Sequence, residues 1–407
     1  MKVYFGVCGV GLGHAGRCIP VAKKLSEIGV ELLFSTYGDA IDYVKREGFP
    51  LVRAPPIGFV VRPDGSVDFK RTVMNPGPFF GLFIFLRQLI HEIRFIKSYS
   101  PNVIVSDSRA STILAAKLLK IPCITTLNQY QIIIPRRKRF LRLAKFSDAG
   151  ILTIIGKVWN LSDAVLIPDL PPPYTVSSGN LNIPSRRKVK VKLVGPILPI
   201  KPDDIMFKNF LREKLSLSHS GPVIFIPISG QEKEKTYIIR LLREILRKFP
   251  TNYQIILSLG FPGSSTNPIK SGNILTYRWL PNRFEYLKVC DLVISRPGHE
   301  TIIQSLCYGK PQILIPTPGH TEQIENAYRA RDLGVAVVLK QEALNYKNLR
   351  EAVDEILKNE AYKNRAEEIQ KEALALDAID EITKEIIRLS TKAGSDLPLL
   401  ELPQRTP

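Results

Sequence analysis

The chain has 407 residues, 44% hydrophobic and 23% charged, with 57 Lys and Arg against 38 Asp and Glu. This balance excludes a disordered, collagenous or disulfide-scaffold protein, and the length allows roughly two to three domains that each bury a core. Residues 1–200 hold 28 basic and 12 acidic side chains while 201–407 hold 29 and 26, so one half carries the excess charge and should meet something anionic.

From the N-terminus, apolar and β-branched runs at 3–8, 31–36, 102–106, 122–127, 164–168 and 191–194 predict strands. Helical patterns at 16–28, 40–47, 79–97 and 110–119 alternate with them. The second half repeats the plan, with strands at 223–228, 253–259, 273–277, 291–295, 312–315 and 336–339. Its helices fall near 235–248, 300–307, 322–333 and 346–359. Apolar strands alternating with helices predict α/β architecture: parallel sheets covered on both faces, in two doubly wound, Rossmann-like domains. Gly195, Pro196, Pro199 and Pro202 break the pattern and divide the chain into domains at 1–198 and 199–375. Residues 361–392 read as one long amphipathic helix whose end, 376–392, packs back on the first domain, and 393–407 as a flexible Pro-rich tail. Residues 169–187, rich in Pro, Ser, Gly and Asn, read as a surface loop. Ligands of such sheets sit beyond the carboxyl ends of the strands, which favours the cleft between the domains.

Cys8, Cys18, Cys123, Cys290 and Cys307 form no Cys-x-x-Cys pair, which argues against a disulfide framework or zinc site and points to a reducing cytoplasm. The Met-Lys start enters a strand-like run without a small-residue cleavage site, so no signal peptide is expected. The uncharged stretch 73–86 is too short to span a bilayer, which leaves a soluble or peripheral protein.

The strongest local motif is Gly9-Val-Gly-Leu-Gly-His-Ala-Gly16, directly after the first strand. Its glycines permit a tight turn with free amides. Residues 11–16 match the dinucleotide fingerprint in form, but no acid ends the second strand, where Ser35, Thr36 and Tyr37 stand and Asp39 comes late. His14 would project into the cleft as a base or else cap the helix. Ser295-Arg-Pro-Gly-His-Glu-Thr301 is a second strand-to-helix turn, with Gly298 amides forming an anion pocket and Arg296 adding charge. Ile228-Ser-Gly-Gln231, Trp279-Leu-Pro-Asn282 and Pro316-Thr-Pro-Gly-His-Thr-Glu-Gln323 complete a set of turns that open on one sheet edge. Asp107 ends the strand at 102–106, either as an orienting partner for a base or as a helix N-cap.

These motifs, in this order over roughly 1–375, resemble the GT-B glycosyltransferases of the MurG type. That group includes bacterial lipid II synthase and the eukaryotic transferase that adds the second N-acetylglucosamine to dolichyl-diphosphate-GlcNAc. The Gly-x-Gly-x-Gly-His opening is also similar to uncharacterised archaeal members. The resemblance implies two Rossmann-like domains around a cleft, and an inverting, metal-independent transfer of a sugar, N-acetylglucosamine for preference, from a UDP donor. The acceptor it implies is a lipid diphosphate at the cytoplasmic membrane face. No cofactor is implied beyond the nucleotide-sugar co-substrate.

By resemblance, His14 is the base, with Asp107 in reserve, and Gly11, Gly13, Asn128 and Gln129 lie on the acceptor side. Ser229 and Gly230 match the turn against the diphosphate, and Arg296, Gly298, His299 and Thr301 match a helix start that holds the donor. Trp279 and Leu280 fall where the nucleotide base is held, Glu322 and Gln323 fall where the donor sugar hydroxyls are held, and His320 lies on the donor side. Two positions depart from the family. Gln304 stands where a glutamate usually bonds the ribose, losing the charge-assisted part of that bond. Val194-Gly-Pro-Ile197 replaces a phosphate-contacting arginine, with Lys201 or Arg296 as substitutes. No Asp-x-Asp triplet exists for a metal-dependent route.

The basic half carries six cations at 136–145, including Arg136, Arg137, Lys138 and Arg139, and a further cluster at 186–192. Residues 79–86, with Phe79, Phe80 and Phe83, are apolar almost all round, which suits a helix at an anionic membrane surface or a packed core helix. No zinc-finger, helix-turn-helix or RNA-binding aromatic motif favours nucleic acid. The competing functions are a UDP-GlcNAc 2-epimerase-like isomerase and a non-catalytic glycolipid or nucleic-acid binding protein. Oligomeric state is not encoded in any of these features.

Overall fold

The structure, a computed structural model, describes residues 1–58, 60–68, 71, 77–130, 158–181, 191–218 and 220–393. The basic run at 136–145 with Arg136, Arg137, Lys138 and Arg139, most of the cluster at 186–192, the side chains of Phe79 and Phe80, and the tail from 394 onward lie outside the described residues.

Strand β1 (Lys2–Val7) is buried at every position after Lys2, as an apolar run between helices on both faces requires. It belongs to a seven-stranded sheet with β2 (Glu31–Thr36), β3 (Leu51–Arg53), β4 (Val103–Asp107), β5 (Cys123–Thr126), β6 (Ala164–Ile167) and β7 (Val191–Leu193). The order is β3-β2-β1-β4-β5-β6-β7, parallel throughout. The second sheet holds β8 (Val223–Pro227), β9 (Gln254–Ser258), β10 (Ile269–Ser271), β11 (Ile274–Tyr277), β12 (Leu292–Ser295), β13 (Gln312–Leu314) and β14 (Ala336–Val338). Its order is β10-β11-β9-β8-β12-β13-β14, parallel except for the edge pair β10–β11. The sequence pattern had no signal for β3 and β10, which are three-residue edge strands too short to show a period.

The helices of the first half are α1 (Gly13–Glu27), α2 (Ala40–Arg46), α3 (Gly77–Tyr99), α4 (Ala110–Leu119) and α5 (Ser178–Leu181). They continue with α6 (Lys208–Lys214), α7 (Glu232–Leu246), α8 (Arg283–Val289), α9 (His299–Cys307) and α10 (Thr321–Asp332). The last three are α11 (Tyr346–Lys358), α12 (Glu360–Leu374) and α13 (Ala378–Ala393). Side-chain alternation divides the first domain's core: Val3, Phe5 and Val7 pack with Leu25 of α1, whereas Tyr4 and Ile104 pack with Ile96 of α3 and Ile113 of α4.

Two sequence expectations change here. The long helix at 361–392 is two helices, broken at 375–377. Leu376 docks where Gly195, at φ +90, has no side chain; a Cβ there would lie 2.5 Å from that of Leu376. Asp377 then restarts the chain by accepting from the Asp380 N–H at 3.0 Å. Helix α13 returns to the first domain, where Ile382, Ile386 and Leu389 are buried. Burial stabilises by about 1.5–3 kcal/mol per such side chain, and Lys24 adds an ion pair to Asp380 at 2.7 Å.

The second change is the loop after β6. Its polar composition suggested surface, yet Asp169, Leu170, Val176, Ser177 and Asn180 are all buried. Asp169 explains the inversion. Its carboxylate accepts from the N–H groups of Leu170, Val176 and Ser177 and sits 3.0 Å from His299 of the second domain. Arg329 of α10 donates to the Thr175 carbonyl at 2.9 Å. The small polar residues satisfy one another and the domain seam, rather than water.

Candidate active site

Strand order reverses around β1, between β2 and β4, and around β8, between β9 and β12. Crevices at such switch points are where doubly wound sheets bind ligands. The turn after β1 is confined to glycine at position 9, because a Cβ would come within 1.8 Å of the Tyr37 carbonyl. Gly11, at φ +71, faces the second domain: a Cβ built there would lie 3.6 Å from the Gly230 Cα. The two glycine turns therefore meet across the cleft.

His14 lies in the first turn of α1, whose N-cap is Leu12, so it is not the helix cap. Its Nδ1 is 2.6 Å from Asp107 Oδ1 at the end of β4, and 22% of its side-chain surface stays exposed. Asp107 is not a cap either; the residue before α4 is Arg109, and the Asp107 carboxylate is fully buried. Arg17, one turn beyond His14, clamps that carboxylate with Nε and with Nη2 at 2.7 Å, and Thr126 donates to it at 2.8 Å. Arg17 also donates to Asn128 Oδ1 at 3.1 Å, and Asn128 donates to Glu322 of the second domain at 2.7 Å. A continuous polar chain thus runs from His14 to Glu322.

Charge in this chain is unevenly held. Burial pushes the Asp107 carboxyl up, but Arg17 and His14 outweigh it and hold it well below the usual carboxylate range. Burial alone would lower His14, yet Cys8 and Asp107 lift it from 6.5 to about 10. Burial likewise works against the Cys8 thiolate, and the charge on His14, with bonds from His14 and Tyr37, brings the thiol down to about 7.

On the other wall, a cleft between the domains is lined by Gly13, Ser229, Trp279, Leu280, Thr301 and Gln304, among others. Trp279 packs edge-on against Tyr43 of the first domain, centroids 5.2 Å apart, with Arg46 above its ring. Glu300 lines the same cleft one turn before Gln304 and accepts from its amide at 3.0 Å. Burial raises the Glu300 carboxyl above its ordinary value despite His299 and Arg17 nearby. Gly298 is the N-cap of α9, so the first amides of that helix open on the cleft side of β12.

Several residues expected to touch the donor are placed otherwise. Arg296 does not charge the anion pocket. Only 2% of it is exposed, and it donates to the Ile315 carbonyl at 2.9 Å and to Gln341. His299 is buried against Asp169 in the domain seam, where burial opposes its charge and Asp169 raises its proton affinity. His320 caps α10, accepting from the Gln323 N–H. The Gln323 amide is taken up by the Thr317 N–H at 2.9 Å and by Glu234 at 3.3 Å. Glu322 and Asn128 meet, and Gln129 follows half-buried. Arg17, Cys8, Glu234 and Glu300 had not been singled out in the sequence. Arg17 was legible, being three residues from His14 on one helix face. Glu300 was likewise four residues before Gln304.

Residues 231–382 match the glycosyltransferase family 28 C-terminal domain, and residues 1–151 match glycosyl transferase family 1. Spinosyn rhamnosyltransferase SpnG shares the fold, with a TM-score of 0.66 at 15% identity over 95% of this chain and 100% of that one. The fold is therefore GT-B, and the protein is a glycosyltransferase. An uncharacterised glycosyltransferase of Methanosarcina acetivorans is 28% identical over 400 residues, covering 94% of this chain and 97% of its own. A UDP-N-acetylglucosamine–N-acetylmuramyl-(pentapeptide) pyrophosphoryl-undecaprenol N-acetylglucosamine transferase of Leuconostoc mesenteroides is 24% identical over 400 residues, covering 94% and 97%.

Proposed function

We propose that the protein moves a sugar, N-acetylglucosamine for preference, from a UDP donor to a hydroxyl of a lipid-diphosphate-linked acceptor at the cytoplasmic membrane face, with inversion. The observation that carries this reading is the His14–Asp107 pair, 2.6 Å apart, at the edge of the cleft where the two glycine turns meet. Asp107 orients Nδ1, which leaves Nε2 to take the acceptor hydroxyl proton. The freed oxygen attacks C1 of the donor sugar from the face opposite the diphosphate. The C1–O bond breaks, and its electron pair leaves on UDP. Amides of the turn at Ser229–Gly230 and of the α9 start at Gly298–Thr301 offset the charge that develops on the diphosphate, so the route needs no metal. Glu300 and Gln304 together provide a carboxyl and an amide for the ribose, in place of the single glutamate of the family. Glu322 meets the sugar. The name of the Leuconostoc relative supports the choice of UDP-N-acetylglucosamine and of a pyrophosphoryl-polyprenol acceptor.

The decisive measurement is UDP release from UDP-N-acetylglucosamine, with mass spectrometry of the product lipid. Release is expected only when a lipid-diphosphate extract is added. Release without acceptor would instead indicate hydrolysis or epimerisation and overturn the reading.

The membrane part rests on α3. Among the described residues no helix is long and apolar enough to cross a membrane. Yet Leu82, Phe83, Leu86 and Ile90 are 57, 55, 44 and 66% exposed on one stripe of α3. An apolar stripe beside cations suits the interface of an anionic leaflet. The protein is expected to co-sediment with phosphatidylglycerol-containing vesicles and to be released in about 1 M salt, where the screening length is about 3 Å. Equal binding to neutral vesicles would remove the electrostatic part.

A further inference from the structure

Helix α3 divides into three faces at helical spacing. Gln88, Glu92 and Ile96 are buried. Leu82, Phe83, Leu86 and Ile90 form the exposed apolar stripe. Between these faces Ile84, Arg87 and His91 line an open groove whose other side is formed by Arg53, Pro55 and Pro56.

The groove is built on a fixed frame. Gln88, 3% exposed, donates to the Pro55 carbonyl at 2.7 Å and accepts from Ser111 at 2.6 Å, which locks the proline loop to the helix. One residue after His91, Glu92 is fully buried and accepts from Arg109 at 2.6 Å and Ser35 at 2.7 Å. His91 stacks on Phe95 with centroids 4.5 Å apart. Arg87 lies over the Phe83 ring at 6.0 Å, on the border with the exposed stripe. Among the described residues no carboxylate lines the groove and neither Arg53 nor Arg87 has an acidic partner, while His91 Nδ1 is 3.4 Å from the buried Glu92 carboxylate behind it. Two unneutralised guanidiniums and an imidazole over proline and isoleucine walls form a socket for an anion with an apolar neighbour.

Its position agrees with that chemistry. Arg53 ends β3 and pairs in register with Thr36, which ends β2. The socket therefore opens at the carboxyl edge of the sheet that also carries His14.

We propose that this socket binds the diphosphate of an isoprenyl-type acceptor, with the hydrocarbon chain running out along Leu82, Phe83, Leu86 and Ile90 and the sugar reaching back towards His14. The assignment rests on the acceptor class proposed above, and deepens it by naming the residues that recognise the charged end. Arg53 and Arg87 clamp the phosphate oxygens, and the proline wall covers the first isoprene unit.

The test uses the full chain saturated with UDP, so that the donor cleft is occupied, and titrates farnesyl diphosphate, inorganic diphosphate and farnesol by calorimetry. Farnesyl diphosphate is expected to bind more tightly than either of the other two. In an Arg53→Gln/Arg87→Gln variant its affinity should fall by at least about tenfold, with UDP binding unchanged as evidence of a folded chain. Unchanged farnesyl diphosphate binding in that variant overturns the proposal. So does inorganic diphosphate binding as tightly, which marks a bare anion site, or farnesol binding as tightly, which marks a greasy patch. Acceptor turnover separates this assignment from the function it rests on. If the wild type transfers sugar and the acceptor KM does not move in the variant, the socket is refuted and the transferase reading stands. If farnesyl diphosphate binding is lost as expected but no lipid diphosphate supports transfer, the socket stands and the acceptor reading falls.

Discussion

In a His14→Ala variant, turnover is expected to fall by about 10²–10⁴-fold while donor affinity stays near the wild-type value. The split follows from geometry. His14 stands on the first-domain wall, and the lining of the cleft proposed for the donor comes largely from the second. Steady-state UDP release and a UDP titration read the two quantities separately; near-wild-type turnover would take His14 out of the mechanism. The pH dependence sharpens the test. After burial is outweighed by Cys8 and Asp107, His14 titrates near 10 in place of 6.5, so the neutral ring becomes scarcer below that value. The rate kcat/KM should therefore climb from neutral into alkaline pH in the wild type. A Cys8→Ser change removes one source of the shift and should move that limb to lower pH. Stability runs the other way. A group whose folded value is raised contributes stability that is complete below the unfolded 6.5 and is lost as pH rises through about 10.

The second large effect belongs to Asp107→Asn. Arg17 is 3% exposed, and Asp107 is its charge partner, so the variant leaves a guanidinium buried without one. Removing one member of a buried pair costs about 3–5 kcal/mol, expected as a lower urea midpoint for the first domain. An Arg17→Ala/Asp107→Ala double change should cost less than the sum of its singles, because each single orphans the other charge. Acid adds a signature of its own. The Asp107 carboxyl titrates far below its ordinary value because Arg17 and His14 overcome its burial. Its contribution to stability is therefore complete above the unfolded value near 4 and disappears as pH falls further. The wild type should lose this component on acidification, and Asp107→Asn should lack it. Equal midpoints for both proteins at neutral pH would show that the pair contributes nothing.

Both expectations depend on contacts of different legibility in the sequence. His14 was visible because a histidine inside a glycine turn after a strand is unusual, and the turn itself is local. Asp107 was visible as a strand end, but its role was open between cap and partner. The 93 residues separating it from His14 carry no periodic signal. Arg17 could have been read from helix geometry alone. Arg296 could not have been corrected that way, since its two acceptors, Ile315 and Gln341, come from other strands and turns. The buried Asp169 loop misled for a related reason. Serine, asparagine and proline look solvent-exposed until the carboxylate that gathers their amides is known.

By itself, the sequence determined the alternation of strand and helix, the glycine turns at the strand ends and the concentration of positive charge in the first half. Each of these is set by neighbours along the chain, through side-chain period, backbone freedom or simple count. Only the tertiary structure decided which groups meet: His14 with Asp107, Asn128 with Glu322 across 194 residues, and Arg53 with Arg87 along a common groove. It also decided which stripe of α3 stays uncovered. Those outcomes depend on sheet order and on how the domains close, and burial and charge act there between residues that no local pattern connects.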